Sequence, residues 1–490
     1  MALLALLIVA AAGTAGTFLA RGRAGGAPGV GIAALAGFVI AAVAMPADAT
    51  LAVGAAQLVV TPYARLWLIA AAVALLAVEL VSRAHGGQRN LPFAALGGLG
   101  AAAVALTVTD GAAAILAATA AGCLGLVATL GGPITMPTLR VSADGLRSVA
   151  VAGAGALLAV AWIGDDAIFL SSGAVAAGVL LMAAALALRL GAVPFHVPLA
   201  RLVGTARLAA VPLAAAWLPA AFAIVALGWA QLGPAPVAGD LTGPRLIVAL
   251  VAVVTIFAAG VVAILDDDLA RVLGYGLVAD GGFVLLALAG ADPAVWPAAR
   301  TWLLCLALSR TVMALAILGL EGADGTRHGR ELHGWLRRTP SLGIALAVAV
   351  LVGIGLPGML PFEARRTLAV LAVGEPLGAL VLVLGALPLL PLARLAWVGA
   401  QAPGPAVAAG RSERPVMLPA DEREAPTAWR ARARQIVRRA ALAWQLDRVP
   451  IASAVTGLLA LAALAVALGV GGLAEAAAGR PPGAGPLPGL

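Results

Sequence analysis

The composition and patterning of this chain predict an all-α protein that crosses a membrane many times. The 490 residues are 62% hydrophobic and only 11% charged, and mean hydropathy is +1.04, beyond what a water-soluble chain of this length tolerates. Apolar runs of ~18–25 residues, long enough for a bilayer core of about 30 Å, recur from end to end between short polar gaps. The runs lack the period-two alternation of a membrane barrel. A spanning backbone must satisfy its own hydrogen bonds, so the spans are expected to be helices.

Fourteen spans follow from the runs: 2–20, 29–45, 63–83, 91–109, 110–131, 146–163, 168–200, 208–230, 245–265, 270–290, 296–320, 341–373, 376–400 and 450–472. In the first, the positive "RGR" follows the apolar run instead of preceding it, which predicts a retained span and not a cleaved leader. Residues 48–60 are too short to cross and read as a re-entrant or interfacial piece. Loops beginning at Arg21, Arg83, Arg140, Arg201, Arg271, Arg327 and Arg411 carry most of the arginine. The intervening loops, near Asp48, Asp110, "GDD" at 164–166, Asp240 and Asp292, carry little. This alternation predicts an even number of spans in a cell inner (cytoplasmic) membrane, with both termini on the non-cytoplasmic side.

The charge of +8 does not indicate nucleic-acid binding, because the basic residues sit at span ends. All of them are arginine. The chain has no lysine and a single asparagine, Asn90. Cys123 and Cys305 lie in separate spans and form no CxxC, which argues against iron–sulfur, zinc and disulfide roles.

The predicted organisation is an N-terminal part, 1–90; two five-span sets, 91–230 and 245–400; a cytoplasmic segment, 401–449; and a last span with a disordered tail, 450–490. Within 401–449 a flexible linker precedes a basic amphipathic helix at 427–445. Its Trp429, Ile436, Val437, Leu442 and Trp444 are available for an apolar side, facing anionic headgroups or a partner subunit. Two spans are overlong and interrupted. The seventh breaks at Pro194, beside Arg189 and His196; the twelfth breaks in "GLPGMLPFEARR", where Pro357 and Pro361 stand next to Glu363 and Arg365. A proline inside a helix costs ~3 kcal/mol or more. Each broken span is the fourth of its five, a pattern predicting two repeats inverted in the membrane.

An ionised side chain at the bilayer centre costs at least ~2.5 kcal/mol on insertion scales, so such residues face protein or water and are usually functional. Arg189, His196, Asp280, Arg310, Glu363 and Arg365 are therefore the candidate residues of a central polar axis or proton path. Blander readings accompany each. His196 suits a buried histidine bonded to a carbonyl, Asp280 and Arg310 a structural ion pair, and Arg365 with Arg366 a snorkelling surface pair. "DDDLAR" at 266–271 reads as a solvated loop with Asp268 as N-cap of the next helix. Trp162, Trp217, Trp229, Trp296 and Trp302 read as interface anchors or packing.

"RLGAVPFH", "AILDDDLARVLGYGLVADGGFVLLALAG" and "GIGLPGMLPFEARR" resemble, in order and spacing, three motifs of the proton-translocating antiporter-like membrane subunits of respiratory complex I. Pro194, Phe195 and His196 bring the chain nearest the subunit N, or subunit 2, type. The resemblance covers roughly residues 90–400 and implies fourteen spans with two inverted five-helix repeats. It also implies a non-redox subunit contributing to proton translocation beside partner membrane-arm subunits. NADH, FMN, iron–sulfur clusters and quinone would be bound by partners, none by this chain. Group-four hydrogenases and multisubunit sodium–proton antiporters share the fold.

The departures from the family pattern are specific. The family's fifth-span glutamate is missing from "GAAAILAATAAGCLGLVATL", and Arg189 stands at its seventh-span lysine position. The eighth-span lysine has no counterpart, Asp280 replaces the tenth-span histidine, and Arg365 replaces the twelfth-span lysine. A buried lysine can fall to near neutrality and exchange protons, whereas arginine stays charged. Three expectations follow. Either a relay runs through His196, Asp280, Glu363 and water, with the arginines as fixed posts, or the chain is a non-conducting membrane-arm scaffold. An independent secondary ion transporter is the third.

Overall fold

A computed structural model describes residues 2–22, 25–54, 56–131, 136–163, 171–232, 241–401 and 451–482. The linker and basic helix expected within 402–449, with Trp429, Ile436, Val437, Leu442 and Trp444, lie outside the described residues, as do "GDD" at 164–166 and Asp240.

The chain forms helices α1 (Ala2–Leu19), α2 (Gly26–Ala44), α3 (Pro62–Ala84), α4 (Leu91–Thr107), α5 (Gly111–Val127), α6 (Met136–Ile163), α7 (Ser172–Leu190), α8 (His196–Thr205) and α9 (Leu218–Leu232). There follow α10 (Thr242–Leu265), α11 (Leu269–Ala289), α12 (Val295–Asp324), α13 (Trp335–Arg338), α14 (Pro340–Ile354), α15 (Leu360–Val373), α16 (Glu375–Leu384) and α17 (Leu389–Ala400). Two more, α18 (Ile451–Ala467) and α19 (Leu473–Ala478), close the described part. Among the described residues eleven helical stretches are long and apolar enough to cross a membrane, and α4, α14 and α18 are shorter apolar helices.

Side-chain caps set several helix starts. Thr61 accepts from the Ala64 amide at 3.2 Å with Pro62 as the first helical residue, and Asp110 accepts from Ala113 at 2.6 Å to open α5. Asp268 caps α11 through the Ala270 amide at 3.0 Å, as the sequence predicts. The acidic run around it is more than a solvated loop. The other oxygen of Asp268 meets Arg327 at 3.0 Å, and Asp267 meets Arg394 at 2.8 Å and Arg330 at 3.5 Å. Arg327 also donates to the Gly204 carbonyl at 2.9 Å, so the network ties the end of α8 to α11, α12 and α17. Asp268→Ala, losing both cap and ion pair, is expected to cost about 1–2 kcal/mol. Asp268→Asn, keeping the cap, should cost about half of that in a thermal melt of the detergent-solubilised protein.

Residues 48–60, expected to be re-entrant or interfacial, form a hairpin. β1 (Thr50–Val53) pairs antiparallel with β2 (Ala56–Val59) in the register Thr50↔Val59, and the Thr109 amide donates to the Gln57 carbonyl at 3.0 Å. The hairpin thus rests on the end of α4.

Both expected breaks are present. α7 ends where Gly191 takes a left-handed φ of 67°, a cis Val193–Pro194 bond follows, and α8 restarts at His196. α14 ends at Gly355, and α15 restarts at Leu360 with Pro361 in its first turn. The expected uniform span 376–400 is also divided: α16 stops at Leu384 and α17 starts at Leu389, across a turn holding Gly385 and Pro388. The stretch Leu208–Leu232, α11 and α12 are buried almost all round, the condition of helices enclosed by other helices. Trp67 on α3 meets Trp217 edge to face at 5.4 Å between ring centres. Polar groups on α11 and α12 are therefore held among protein, away from lipid.

Candidate functional site

Asp280 lies midway along α11 and Arg310 midway along α12, and enclosure of both helices buries both side chains. The Arg310 Nε donates to Asp280 Oδ2 at 2.6 Å, with side-chain exposures of 10% and 8%. Arg365, from the first turns of α15, enters the same place and is buried, so it is not the snorkelling residue its sequence position allowed. Its guanidinium lies over the Phe283 ring at 4.2 Å and near that of Trp302 at 5.3 Å. Nη1 donates to the Ile354 carbonyl at 3.2 Å, one of the acceptors that the interruption after α14 leaves without a helical partner. Trp302, read from sequence as anchor or packing, also donates to the Asp280 carbonyl at 3.3 Å.

The cluster thus holds one carboxylate and two guanidinium groups. The second cation is accommodated by aromatic faces and a helix-end carbonyl, which stabilise a buried charge where bulk water cannot. A cavity of about 20 Å³ lies against Asp280, Arg310, Gly353, Ile354 and Gly385. That is room for one water molecule, with polar partners on several sides.

Glycines opposite the buried arginines make these placements possible. A methyl group on Gly276 would lie 2.8 Å from Arg310 Nη1, one on Gly122 of α5 would lie 2.8 Å from Arg189 Nη2, and one on Gly385 would overlap Arg365. Each buried guanidinium of the candidate set therefore fills a slot that a Cβ would close.

The remaining candidates stand apart from this cluster. Arg189, at the end of α7, is 8% exposed and packs against α5, where its Nε and Nη2 have no hydrogen-bond partner among the described residues. His196 opens α8 with a buried, unpartnered Nδ1, so it has not found the carbonyl that the blander reading offered it. Thr255 of α10 accepts from the Val193 amide at 3.1 Å and steadies that break. Glu363 is half exposed at the second break, accepting from the Gly358 amide at 3.3 Å and facing the exposed Arg366 at 3.9 Å. α11 lies between the two regions: Gly281, next to Asp280, packs against Leu190, next to Arg189. Pro194, Pro357 and Pro361 all fall at the interruptions.

Two buried charged residues escaped the sequence reading. Arg300 on α12 donates to the carbonyls of Ala477 and Gly479 at 2.7 and 2.9 Å and to Gln231, while the Tyr63 hydroxyl donates to the Arg300 carbonyl at 2.7 Å. This satisfied clasp holds α19 to the bundle. Glu79 on α3 is 1% exposed, and neither carboxyl oxygen has a hydrogen-bond partner among the described residues. Both residues sit within a turn or so of a helix end, where sequence places charges at the membrane surface. Among the described residues no group of three or more His, Cys, Asp or Glu is placed to hold a metal ion, and Cys123 and Cys305 are free thiols.

Residues 156–387 match the family model described as "NADH:quinone oxidoreductase/Mrp antiporter, TM". NADH-quinone oxidoreductase subunit N 2 of Syntrophobacter fumaroxidans is 31% identical over 137 residues, 28% of this chain and 29% of that protein. NADH-quinone oxidoreductase subunit N of Mycobacterium tuberculosis is 32% identical over 219 residues, 42% and 39% of the two chains. The matched stretch thus spans between about three tenths and two fifths of these curated relatives. A chain of respiratory complex I from Thermus thermophilus shares 18% identity with a TM-score of 0.70, covering 99% of this chain and 100% of that one. A chain of the Mrp complex from Dietzia sp. shares 19% identity with a TM-score of 0.71, covering 98% and 52%. At such identities the likeness establishes the fold.

Proposed function

We propose, from the premise that residues 156–387 carry the NADH:quinone oxidoreductase/Mrp antiporter membrane domain, that the chain is a non-redox, antiporter-like subunit of a membrane complex and contributes to proton translocation. The observation carrying this reading is the buried Asp280–Arg310–Arg365 cluster, set beside an interrupted helix and a cavity that fits a water. Charges so placed are costly and persist where they serve transport. Asp280 would be the group that binds and releases the proton, with Arg310 and Arg365 as permanent counter-charges. His196 and Arg189 at the first break, and Glu363 at the second, would extend the polar axis on either side. We read the sets 91–230 and 245–400 as inverted repeats, with the termini on the non-cytoplasmic side of an inner membrane. NADH, FMN, iron–sulfur clusters and quinone would belong to partner membrane-arm and redox subunits, as the subunit N relatives suggest.

Proton flux in vesicles reconstituted with the purified protein in its complex tests the reading. Wild type should conduct, and Asp280→Asn, which keeps size and hydrogen bonding, should lower the flux of the complex. Equal flux in the two would remove Asp280 from any relay.

A non-conducting scaffold is the second reading. The observation favouring it is that Arg189 faces glycine on α5 where a carboxylate would have to stand, leaving two guanidinium nitrogens without partners. Flux of the complex unchanged by Asp280→Asn and by substitution of the other candidate residues would select it. An independent secondary ion transporter, the third reading, would purify as a single chain without stoichiometric partners.

A further inference from the structure

We infer that Glu79 is a second proton-binding carboxyl, remote from the Asp280 cluster and loaded from an open vestibule at the end of α3. The vestibule is a cavity of about 750 Å³ lined by Ser82, His85, Gln88, Arg207, Glu321 and Arg327 among others. Ser82 is three residues beyond Glu79 on the same face of α3, about 4.5 Å along the axis at 1.5 Å per residue. Glu79 therefore lies roughly one turn further into the protein than a residue that touches the vestibule.

Among the described residues the only opposite charge acting on Glu79 is the exposed Arg83, which makes no ion pair with it. α2 and α4 carry no titratable side chain, and neither does 208–217. The charged residues of α12 are engaged elsewhere or lie at its end: Arg300 with carbonyls and Gln231, Arg310 with Asp280, Asp324 with Arg338 at 2.8 Å, and Glu321 lining the vestibule. Glu475 of α19 is a like charge, and Arg83, four residues along α3, is exposed. No ion pair reaches Glu79 among the described residues.

An ionised carboxylate left unpaired and dry is strongly disfavoured, so the resting form is the neutral acid. Ionisation requires solvent to reach it, and one or two bridging waters suffice over the distance to the vestibule. Proton uptake and release at Glu79 is then a change of one proton on one oxygen, with the vestibule as the aqueous phase. The purpose of such a site rests on the proposed proton-translocating role. Its existence does not, and no flux measurement enters the test.

Native membranes holding the full chain would be treated with dicyclohexylcarbodiimide, which adds to protonated carboxyls in apolar surroundings. The peptide bearing Glu79 should carry the N-acylurea mass, labelling faster as pH falls, and Glu79→Gln should abolish it. Recovery of that peptide unmodified at every pH would overturn the assignment. Wild type minus Glu79→Gln infrared spectra should show the C=O band of a protonated carboxylic acid, shifting promptly in D2O. A missing band, or one indifferent to D2O, would equally defeat it. Glutamine mimics the neutral acid, so Glu79→Gln should match the wild-type melting temperature. If it fails to fold, the wild-type labelling still decides.

Discussion

Alanine at Asp280 is expected to destabilise the protein by about 3–5 kcal/mol, the penalty for leaving buried cations without their counter-ion. Arg310 would lose the acceptor it holds at 2.6 Å, and Arg365 would keep only the Phe283 and Trp302 faces and the Ile354 carbonyl. A double substitution separates pairing from packing. Asp280→Leu with Arg310→Met replaces the pair by apolar side chains of similar bulk, which in buried sites is often neutral or stabilising. The pair should therefore melt close to wild type in detergent, while Asp280→Ala and Arg310→Met alone melt far below it. Single variants within about 1 kcal/mol of wild type would mean that the pair lies in contact with water. A double variant that is stable yet conducts no protons would show that the charges are kept for transport and not for folding.

Gly355→Ala should be the second severe variant. Gly355 has φ 73° and ψ 147°, a region reserved almost wholly for glycine, at a cost of about 1–3 kcal/mol to other residues. A methyl group there would also stand 2.5 Å from the Phe362 amide nitrogen and 2.8 Å from its Cβ. Backbone cannot yield as a flexible side chain does, so the start of α15 would have to move, taking Arg365 away from Ile354. Gly358 supplies the control. It has φ 90° but nothing within 4 Å of an added methyl, so Gly358→Ala should cost only the backbone strain, about 1–2 kcal/mol. Gly355→Ala should exceed it by at least about 2 kcal/mol, the scale of overpacking a rigid site. Equal losses at the two positions in thermal melts would show that the break is soft and does not position Arg365.

Much of this arrangement is legible in the residues themselves. The apolar runs, Pro194 and Pro361 locate both interruptions, and the Asp268 cap follows from an aspartate before a helical pattern. The sequence offers Asp280 and Arg310 as an ion pair, which the structure closes at 2.6 Å, but the entry of Arg365 into the same place is not legible in this way, because it depends on which faces of α11, α12 and α15 meet. The same holds for the break after Leu384: Gly385 and Pro388 sit within an apolar run that reads as continuous, and only the structure shows Arg365 packed against Gly385, where a side chain would collide with it. Glu363 and Arg365, two residues apart, look equivalent in sequence. One is half exposed and the other buried, since side chains two positions apart on a helix point to different sides.

By itself, the sequence determined the membrane environment, the helical class, two of the helix interruptions and most of the side chains too costly to place in lipid. Those properties are local, set by transfer energies and backbone chemistry that act residue by residue. Tertiary structure alone decided that Arg365 joins Asp280 and Arg310, that three guanidinium groups occupy slots left by glycines, and that the carboxyl oxygens of Glu79 have no hydrogen-bond partner among the described residues. Pairing and desolvation depend on distances between helices far apart in the chain, and no residue carries those distances on its own.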